Sequence, residues 1–326
     1  MPKDVLSEVL RRLPLRYKLR CARVCKEWRA SVDAQLQRCL DFSGTQVPLR
    51  VLCALMVRLR CRRLILKPED VRKSKRYDRE LVECVVTALH RWTRGKPLEL
   101  DLARCRATWM ARAELAPLMA CMDELAVGPH SVVAMRWAPT LTHLRVVGMQ
   151  VGAAMDGVPS SLQCISMEEC CLRAVSRAEL RAWLERLPRL HAALFNNVPL
   201  LDAHAGAVAE ACAARGWTRL EVEFAGVGVL GALAMAAAVA RSPNLRDLSV
   251  QGNNIGDAGA LAFAQAASNL WCLNLSECGI SAVGAATVMD ELVAKPELIS
   301  LEASGNADGS AFKEKERAAG GLHVWV

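Results

Sequence analysis

The segment LRDLSVQGNNI at residues 245–255 recurs in two variants, LWCLNLSECGI at 270–280 and LISLEASGNAD at 298–308. All three copies carry apolar residues at their first, fourth and sixth positions and Asn or Cys at their ninth. The fourth-position leucines are 25 and 28 residues apart, and they are Leu248, Leu273 and Leu301. Because side chains alternate along a strand, positions four and six would both point inward from a short strand. Stacked copies therefore predict a parallel sheet with one strand per repeat.

The same alternation extends upstream in more divergent copies. The apolar pairs at positions four and six are Leu64 and Leu66, Leu100 and Leu102, Leu125 and Val127, Leu144 and Val146, Ile165 and Met167, Ala193 and Phe195, and Leu220 and Val222. Between the later strands we predict helices over residues 178–186, 202–215, 230–241, 257–268 and 282–294. Asp257 and Ser281 are the predicted N-caps of the last two helices.

The polar residues at position nine have a predicted structural role. Strand pairing leaves backbone amides free in the turns, and the side chains of Asn253 and Asn306 can bond them. The thiols of Cys170 and Cys278 can do so more weakly. We therefore interpret this position as part of the repeat framework rather than as a site of chemistry.

The C-terminal part of the chain resembles the ribonuclease-inhibitor type of leucine-rich repeat, most clearly at LRDLSVQGNNIGDAGALAFAQAA, where strand, asparagine turn and helix follow in the order of that family. The resemblance covers residues 97–326. It implies an α/β horseshoe with a parallel sheet on the concave face and mainly helices on the convex face. It implies no chemistry, because one fold carries many functions.

The N-terminal residues 2–33 predict three short helices. Their apolar stripes are Val5, Leu6, Val9, Leu10 and Leu13, then Leu15, Leu19 and Ala22, then Val24, Cys25, Trp28 and Val32. Pro14 ends the first helix. Three short helices cannot build a core of much stability alone, so we expect a partner or the repeats to cover part of this apolar surface.

This segment resembles the F-box, whose signature near its end is present here as VCKEWR. The residues that carry the resemblance are Pro2, Val5, Leu6, Val9, Leu10, Leu13, Leu15, Leu19, Val24, Cys25, Lys26 and Trp28. The resemblance implies a docking module at residues 1–40 that binds the small acidic adaptor of Skp-cullin-F-box ubiquitin ligases. Residues 41–96 would be a basic connecting region with the first irregular repeats, and 97–326 the solenoid.

Charge is distributed unevenly between the two parts of the chain. Residues 1–96 contain 24 Lys and Arg against 10 Asp and Glu, and residues 97–326 contain 18 against 24. Such a split predicts two surfaces with different partners, and the partner of the first, basic surface would be acidic.

Ten cations fall between Arg58 and Arg79 and could bind RNA. Tyr77 is the one aromatic residue nearby, so the sequence disfavours nucleic acid as a partner.

The composition favours a non-catalytic protein of the cytoplasm or nucleus. The opening residues MPKDVLSEVLRR lack the apolar stretch of a signal peptide, and we expect the 14 cysteines to stay reduced. No apolar run is long enough to predict a membrane span.

The cysteine spacings do not fit zinc sites, and the six histidines fall at unrelated repeat positions. We therefore predict no catalytic residue, no metal and no cofactor.

Strand alternation also predicts which side chains could face a target on the concave side. The candidates for target binding are Glu168, Glu221, Glu223, Asp247, Ser249, Gln251, Trp271, Asn274 and Glu302. Their carboxylates predict a ligand with basic groups, and Trp271 is a candidate apolar anchor. A merely solvated face would have the same pattern.

Taken with the two resemblances, these features predict a substrate-recognition adaptor of a Skp-cullin-F-box ubiquitin ligase. The F-box would bind the Skp-type adaptor, and through it a cullin, while the repeats bind a target protein. The alternative is a non-ligase leucine-rich repeat scaffold or inhibitor in which the F-box-like helices cap the open end of the solenoid.

Overall fold

A computed structural model describes residues 15–41, 63–65, 98–101, 122–128, 140–152, 157–307, 312 and 322–326 of the chain. The chain divides into two compact units, Met1–Arg145 and Val146–Val326. Within the described ranges, no helix combines the length and the apolar character needed to cross a membrane.

The described part of the first unit contains two helices followed by parallel strands. The elements are α1 (Leu15–Cys21), α2 (Lys26–Arg38), β1 (Cys39–Asp41), β2 (Arg63–Ile65), β3 (Leu98–Asp101) and β4 (Met122–Val127). Each strand pairs with the next one along the chain. The helices pack against each other, and Ala22, Val32 and Leu36 are buried. The predicted helix before Pro14 lies outside the described residues, and β1 was not predicted.

The second unit alternates strands and helices. After β5 (His143–Val147), which spans the boundary between the units, the elements are β6 (Cys164–Glu168), α3 (Arg177–Glu185), β7 (Ala192–Asn196), α4 (Leu201–Arg215), β8 (Arg219–Glu223), α5 (Val229–Val239), β9 (Asp247–Ser249), α6 (Gly256–Ala266), β10 (Cys272–Asn274), α7 (Ala282–Leu292), β11 (Ser300–Glu302) and β12 (His323–Trp325). Strands β6 to β12 pair in parallel in chain order. The predicted α/β repeat fold is confirmed.

The core of this unit lies between the strands and the helices. The inward strand positions hold one continuous buried series, which is Ile165, Met167, Ala193, Phe195, Leu220, Val222, Leu248, Val250, Leu273, Leu275, Leu301 and Ala303. The consecutive helices α3 to α7 also pack against one another. A single repeat could not bury its apolar strand face, so stacking of neighbours is what makes the fold stable.

The predicted role of position nine is confirmed by the contacts of both asparagines. Asn306 Oδ1 accepts hydrogen bonds from the backbone N–H groups of Cys278 and Ile280, at 3.0 and 3.1 Å. Asn253 is 1% exposed and makes a similar set of bonds two repeats earlier. The thiols of Cys278 and Cys170 each reach a backbone carbonyl at 3.3 to 3.5 Å.

The prediction that Asp257 is an N-cap is wrong, whereas Ser281 is the N-cap of α7 as expected. Helix α6 begins one residue before Asp257, whose carboxylate accepts hydrogen bonds from the N–H and Oγ of Ser281 at 2.7 and 2.6 Å. The carboxylate thus bonds to the next repeat instead of its own helix. Asp202 does the same for α5, because its Oδ1 accepts from the N–H of the N-cap Gly228 at 2.7 Å.

Candidate protein-interaction surfaces

The side of the β6–β12 sheet opposite the buried series carries three rows of side chains, which we call the strand face. The first row is Cys164, Ala192, Arg219, Asp247, Cys272, Ser300 and His323, and the second is Ser166, Leu194, Glu221, Ser249, Asn274, Glu302 and Trp325. The third row begins with Glu168, Asn196 and Glu223 and continues past the strand ends with Gln251, Ser276 and Ser304. The predicted target residues therefore lie together, except for Trp271.

Neutral side chains hold two of the carboxylates at this face. Glu223 accepts hydrogen bonds from Asn196 Nδ2 at 3.1 Å and from Ser249 Oγ at 2.7 Å. In the following turns, Gln251 Nε2 donates to Glu277 Oε1 at 3.0 Å. Amide and hydroxyl donors fix the position of a carboxylate without cancelling its charge.

Arg219 is the one guanidinium in the described rows of the strand face. Its Nη2 lies 2.5 Å from Glu221 Oε1, and the hydrogen bond with Glu221 raises the pKa of Arg219. The neighbouring thiol of Cys272 also has a raised pKa, first because it is partly desolvated and then because of the nearby Asp247 carboxylate. The strand face therefore carries negative charge around a neutral thiol.

Trp271 lies directly before the N-terminal end of β10 and not in one of the three rows. Its indole is 48% exposed, and the Arg246 guanidinium lies over the ring, 5.5 Å from its centroid. Ile299, the corresponding residue before β11, is also exposed. Trp271 and Ile299 are thus exposed at the N-terminal ends of their strands. Trp271 already has Arg246 of its own chain as a cationic partner.

Sequence reasoning missed Trp325, the aromatic side chain that does lie on the strand face. It is 64% exposed and pairs in register with Glu302 of the neighbouring strand. The signal that could have placed it is the alternation of Leu322 and Val324, which are both buried. Val324 is the register partner of Leu301, so it is the fourth-position residue of one further strand.

In the first unit, the corner between α1 and α2 presents apolar and cationic side chains. Val24 is 66% exposed, Cys25 is also exposed, and Leu19 and Trp28 are half-buried. The exposed cations around the corner are Arg20, Arg23, Lys26 and Arg29. Leu15 belongs to α1, while the predicted docking residues Pro2, Val5, Leu6, Val9, Leu10 and Leu13 lie outside the described residues. Their role in docking stays a prediction.

Metal-ligating side chains do not come together in the described ranges, where no group of three or more His, Cys, Asp or Glu could hold an ion. The cysteines there are free thiols, and several of them are buried. Burial raises the pKa of Cys212 and of Cys278 to about 12. These two residues therefore act as small apolar side chains and not as nucleophiles.

We expect iodoacetamide at pH 8 to modify Cys25 rapidly and to leave Cys212 and Cys278 unmodified in the folded protein. Both buried thiols are neutral at this pH because it is well below their raised pKa, and the reagent cannot reach them. Peptide mass spectrometry after timed labelling measures the modification of each cysteine. Labelling in urea is the control in which all three should react, and equal rates for Cys25 and Cys278 in native buffer would contradict the burial.

Comparison with known proteins finds matches to two family models, each over a short segment of the chain. Residues 1–37 match the F-box domain, and residues 241–264 match the leucine-rich repeat. The curated ribonuclease inhibitor of Sus scrofa is 25% identical over 195 residues, which are 55% of this chain and 42% of the inhibitor. The chain thus spans less than half the length of that relative.

A solved structure supports the fold over nearly the whole length. A chain of the crystal structure of the Rad7 and Elc1 complex in yeast superposes with a TM-score of 0.57 at 12% sequence identity. The match covers 99% of this chain and 92% of that chain. At this level of identity the similarity concerns the fold alone.

Proposed function

We propose that this chain, which matches the F-box domain at residues 1–37 and the leucine-rich repeat at residues 241–264, is the substrate-recognition adaptor of a Skp-cullin-F-box ubiquitin ligase. The F-box would bind the Skp-type adaptor, and the strand face would bind the target. The observation that carries the proposal is the order of the two domains, with an F-box match at residues 1–37 ahead of an array of strand–helix repeats.

The corner between α1 and α2 supports an adaptor as the partner of the first unit. An aliphatic side chain that is 66% exposed, Val24, contributes little to the stability of its own unit and is available for a partner. The cations around it fit the acidic adaptor that the F-box resemblance implies. In the alternative, where these helices only cap a solenoid, the apolar stripe would be buried within the chain, and the exposure of Val24 favours docking instead.

The proposed mechanism needs no catalytic residue in this chain. An adaptor that holds a target beside a ubiquitin-charged enzyme raises the effective concentration of the target lysines at that enzyme. What the chain must supply is two binding surfaces on a stable framework. The buried leucine series and the asparagine turns provide that framework in the second unit.

The solved structure with a similar fold was obtained as a complex of Rad7 with Elc1. By analogy, a second small protein bound to this chain is part of the proposal. A Skp-type adaptor is the partner we propose, and binding to an Elc1-type adaptor in its place would overturn the assignment to the Skp-cullin-F-box class.

We expect Val24→Asp to weaken binding of the Skp-type adaptor by about tenfold or more, because it places a charge in the apolar centre of the proposed contact. Surface plasmon resonance with immobilised adaptor and the full chain measures the affinity. Since Val24 is exposed, the substitution should leave the melting temperature unchanged.

The matched control is Ala34→Asp, which adds the same charge at an exposed position within α2, away from the corner. It should change the adaptor affinity by less than about twofold, the level of a rim charge. Equal losses for the two variants, or no loss for Val24→Asp, would overturn the assignment of the corner as the adaptor contact.

A further inference from the structure

We propose that the strand face binds a cationic segment of the target and that an arginine of this segment lies between the Glu302 carboxylate and the Trp325 indole. This inference rests on the proposed function in one respect, which is that the bound segment belongs to a target protein. It names the chemistry of that target, which is an arginine-rich stretch, and the part of the strand face that holds it.

The first observation is the position of Trp325 beside Glu302. The two residues are register partners in neighbouring parallel strands, so their side chains leave the same face about 4.8 Å apart. Both are exposed, Trp325 by 64%. An exposed indole next to an exposed carboxylate has the composition of a site for a flat cation.

The second observation is that the Glu223 carboxylate accepts hydrogen bonds from neutral side chains. Among the described residues, the one guanidinium of the three rows belongs to Arg219, and its partner is Glu221. Glu223 is bonded by an amide and a hydroxyl, whereas Asp247 interacts with both the Cys272 thiol and the Arg219 guanidinium. Because the donors to Glu223 are neutral, its negative charge stays available to a ligand.

The second unit itself contains an example of the proposed arginine–tryptophan contact. Directly before β10, the Arg246 guanidinium lies over the Trp271 ring, 5.5 Å from its centroid. Arginine suits such a place better than lysine, because its planar group can stack on an indole and bond a carboxylate in two places. Trp325 offers the same ring without an arginine of the described chain above it, and Glu302 adds the carboxylate that Trp271 does not have beside it in register.

The spacing of the charges fits an extended segment rather than a single side chain. Glu223 on β8 and Glu302 on β11 are three strands and one row apart, which is about 16 Å on the surface of the sheet. An extended partner rises about 3.3 Å per residue, so two of its arginines four residues apart reach both carboxylates. A segment that alternates arginine with small residues therefore matches the strand face.

The test uses a fluorescein-labelled nine-residue peptide of alternating arginine and serine, titrated into the full chain and followed by fluorescence anisotropy. The matched probe has citrulline in place of each arginine, which keeps the shape and removes the charge. We expect Glu302→Gln and Trp325→Leu each to weaken binding about fivefold, as loss of one carboxylate or one cation–π contact does. Trp325→Phe, which keeps a ring, should lose less than Trp325→Leu.

The control variant is Glu291→Gln, which removes the same charge from α7 on the helix side of the array. It should bind the arginine peptide within about twofold of the original chain, because a distant exposed charge is screened by salt. Equal binding of the citrulline probe, or equal losses in the Glu291 and Glu302 variants, would overturn the inference. So would unchanged binding by Trp325→Leu.

The result is separable from the proposed ligase role. Adaptor binding is measured on the same variants, and Glu302→Gln and Trp325→Leu should leave it unchanged, since both residues lie in the second unit. Retained adaptor binding with no peptide binding would overturn the arginine inference alone. Peptide binding with no adaptor binding would overturn the ligase role and leave a repeat protein that recognises cationic segments.

Discussion

Replacing Asn253 with alanine is expected to lower the free energy of unfolding of the second unit by about 3–5 kcal/mol, because several buried backbone groups lose their partners at once. Asn253 Oδ1 accepts hydrogen bonds from the N–H groups of Ala225 and Val227 at 3.0 and 3.1 Å. Its Nδ2 donates to the carbonyls of Val222 and Val250 at 2.7 and 2.8 Å. The site is 1% exposed, so water does not replace the amide.

Urea unfolding followed by circular dichroism at 25 °C measures this loss. The matched control is Asn254→Ala, because Asn254 is the adjacent residue of the same type and is exposed. Its effect should be less than about 0.5 kcal/mol. Equal effects at the two positions would contradict the account of the turn. Asn306→Ala should fall between them, since Asn306 makes a similar set of bonds but is less buried.

Two helical glycines are expected to respond to alanine with opposite signs. In α5, a Cβ at Gly231 would lie 2.8 Å from the backbone Cα of Asp202 in α4, and 2.5 Å from Asp202 Oδ1. Backbone cannot move aside as an exposed side chain can, so Gly231→Ala should cost about 1–3 kcal/mol through overpacking. In α4, a Cβ at Gly206 would meet Ala234 Cβ at 3.5 Å, an ordinary contact. Gly206→Ala should therefore stabilise the protein by about 0.5–1 kcal/mol, the gain in helix propensity.

The two alanine variants are each other's control, because both add one methyl group at the contact between α4 and α5. Melting temperatures from calorimetry, together with urea midpoints, give the sign of each effect. A loss of stability for Gly206→Ala equal to that for Gly231→Ala would show that the helices cannot accept any added volume. A gain for both would show that the close approach at Asp202 relaxes freely.

Much of the second unit could be predicted because each repeat carries its own signal. Position four and position six are apolar in every repeat from Ile165 to Leu301, and this alternation placed the strands correctly. The predicted helices agree with the observed ones to within two or three residues at each end. The role of Asn253 was predictable for the same reason, since a buried turn needs a side chain that both donates and accepts hydrogen bonds.

The failures arose where the partner of a residue lies in another repeat. Asp257 looks like an N-cap in sequence, but its carboxylate bonds Ser281 of the following repeat, and no local pattern contains that information. Trp271 and Trp325 look equivalent as exposed aromatics, yet their register positions differ by three residues. A difference of an odd number of residues moves a side chain to the other face of a strand, and the register depends on neighbouring strands.

The most direct test of the adaptor role is calorimetric titration of a purified Skp-type adaptor into the full chain, followed by gel filtration with the cullin. The account predicts a complex of one chain with one adaptor, with a Kd of about 1 μM or lower, that elutes together with the cullin. No heat of binding and no co-elution from a chain that is folded by circular dichroism would contradict it. That result would favour a leucine-rich repeat scaffold or inhibitor whose N-terminal helices serve as a cap.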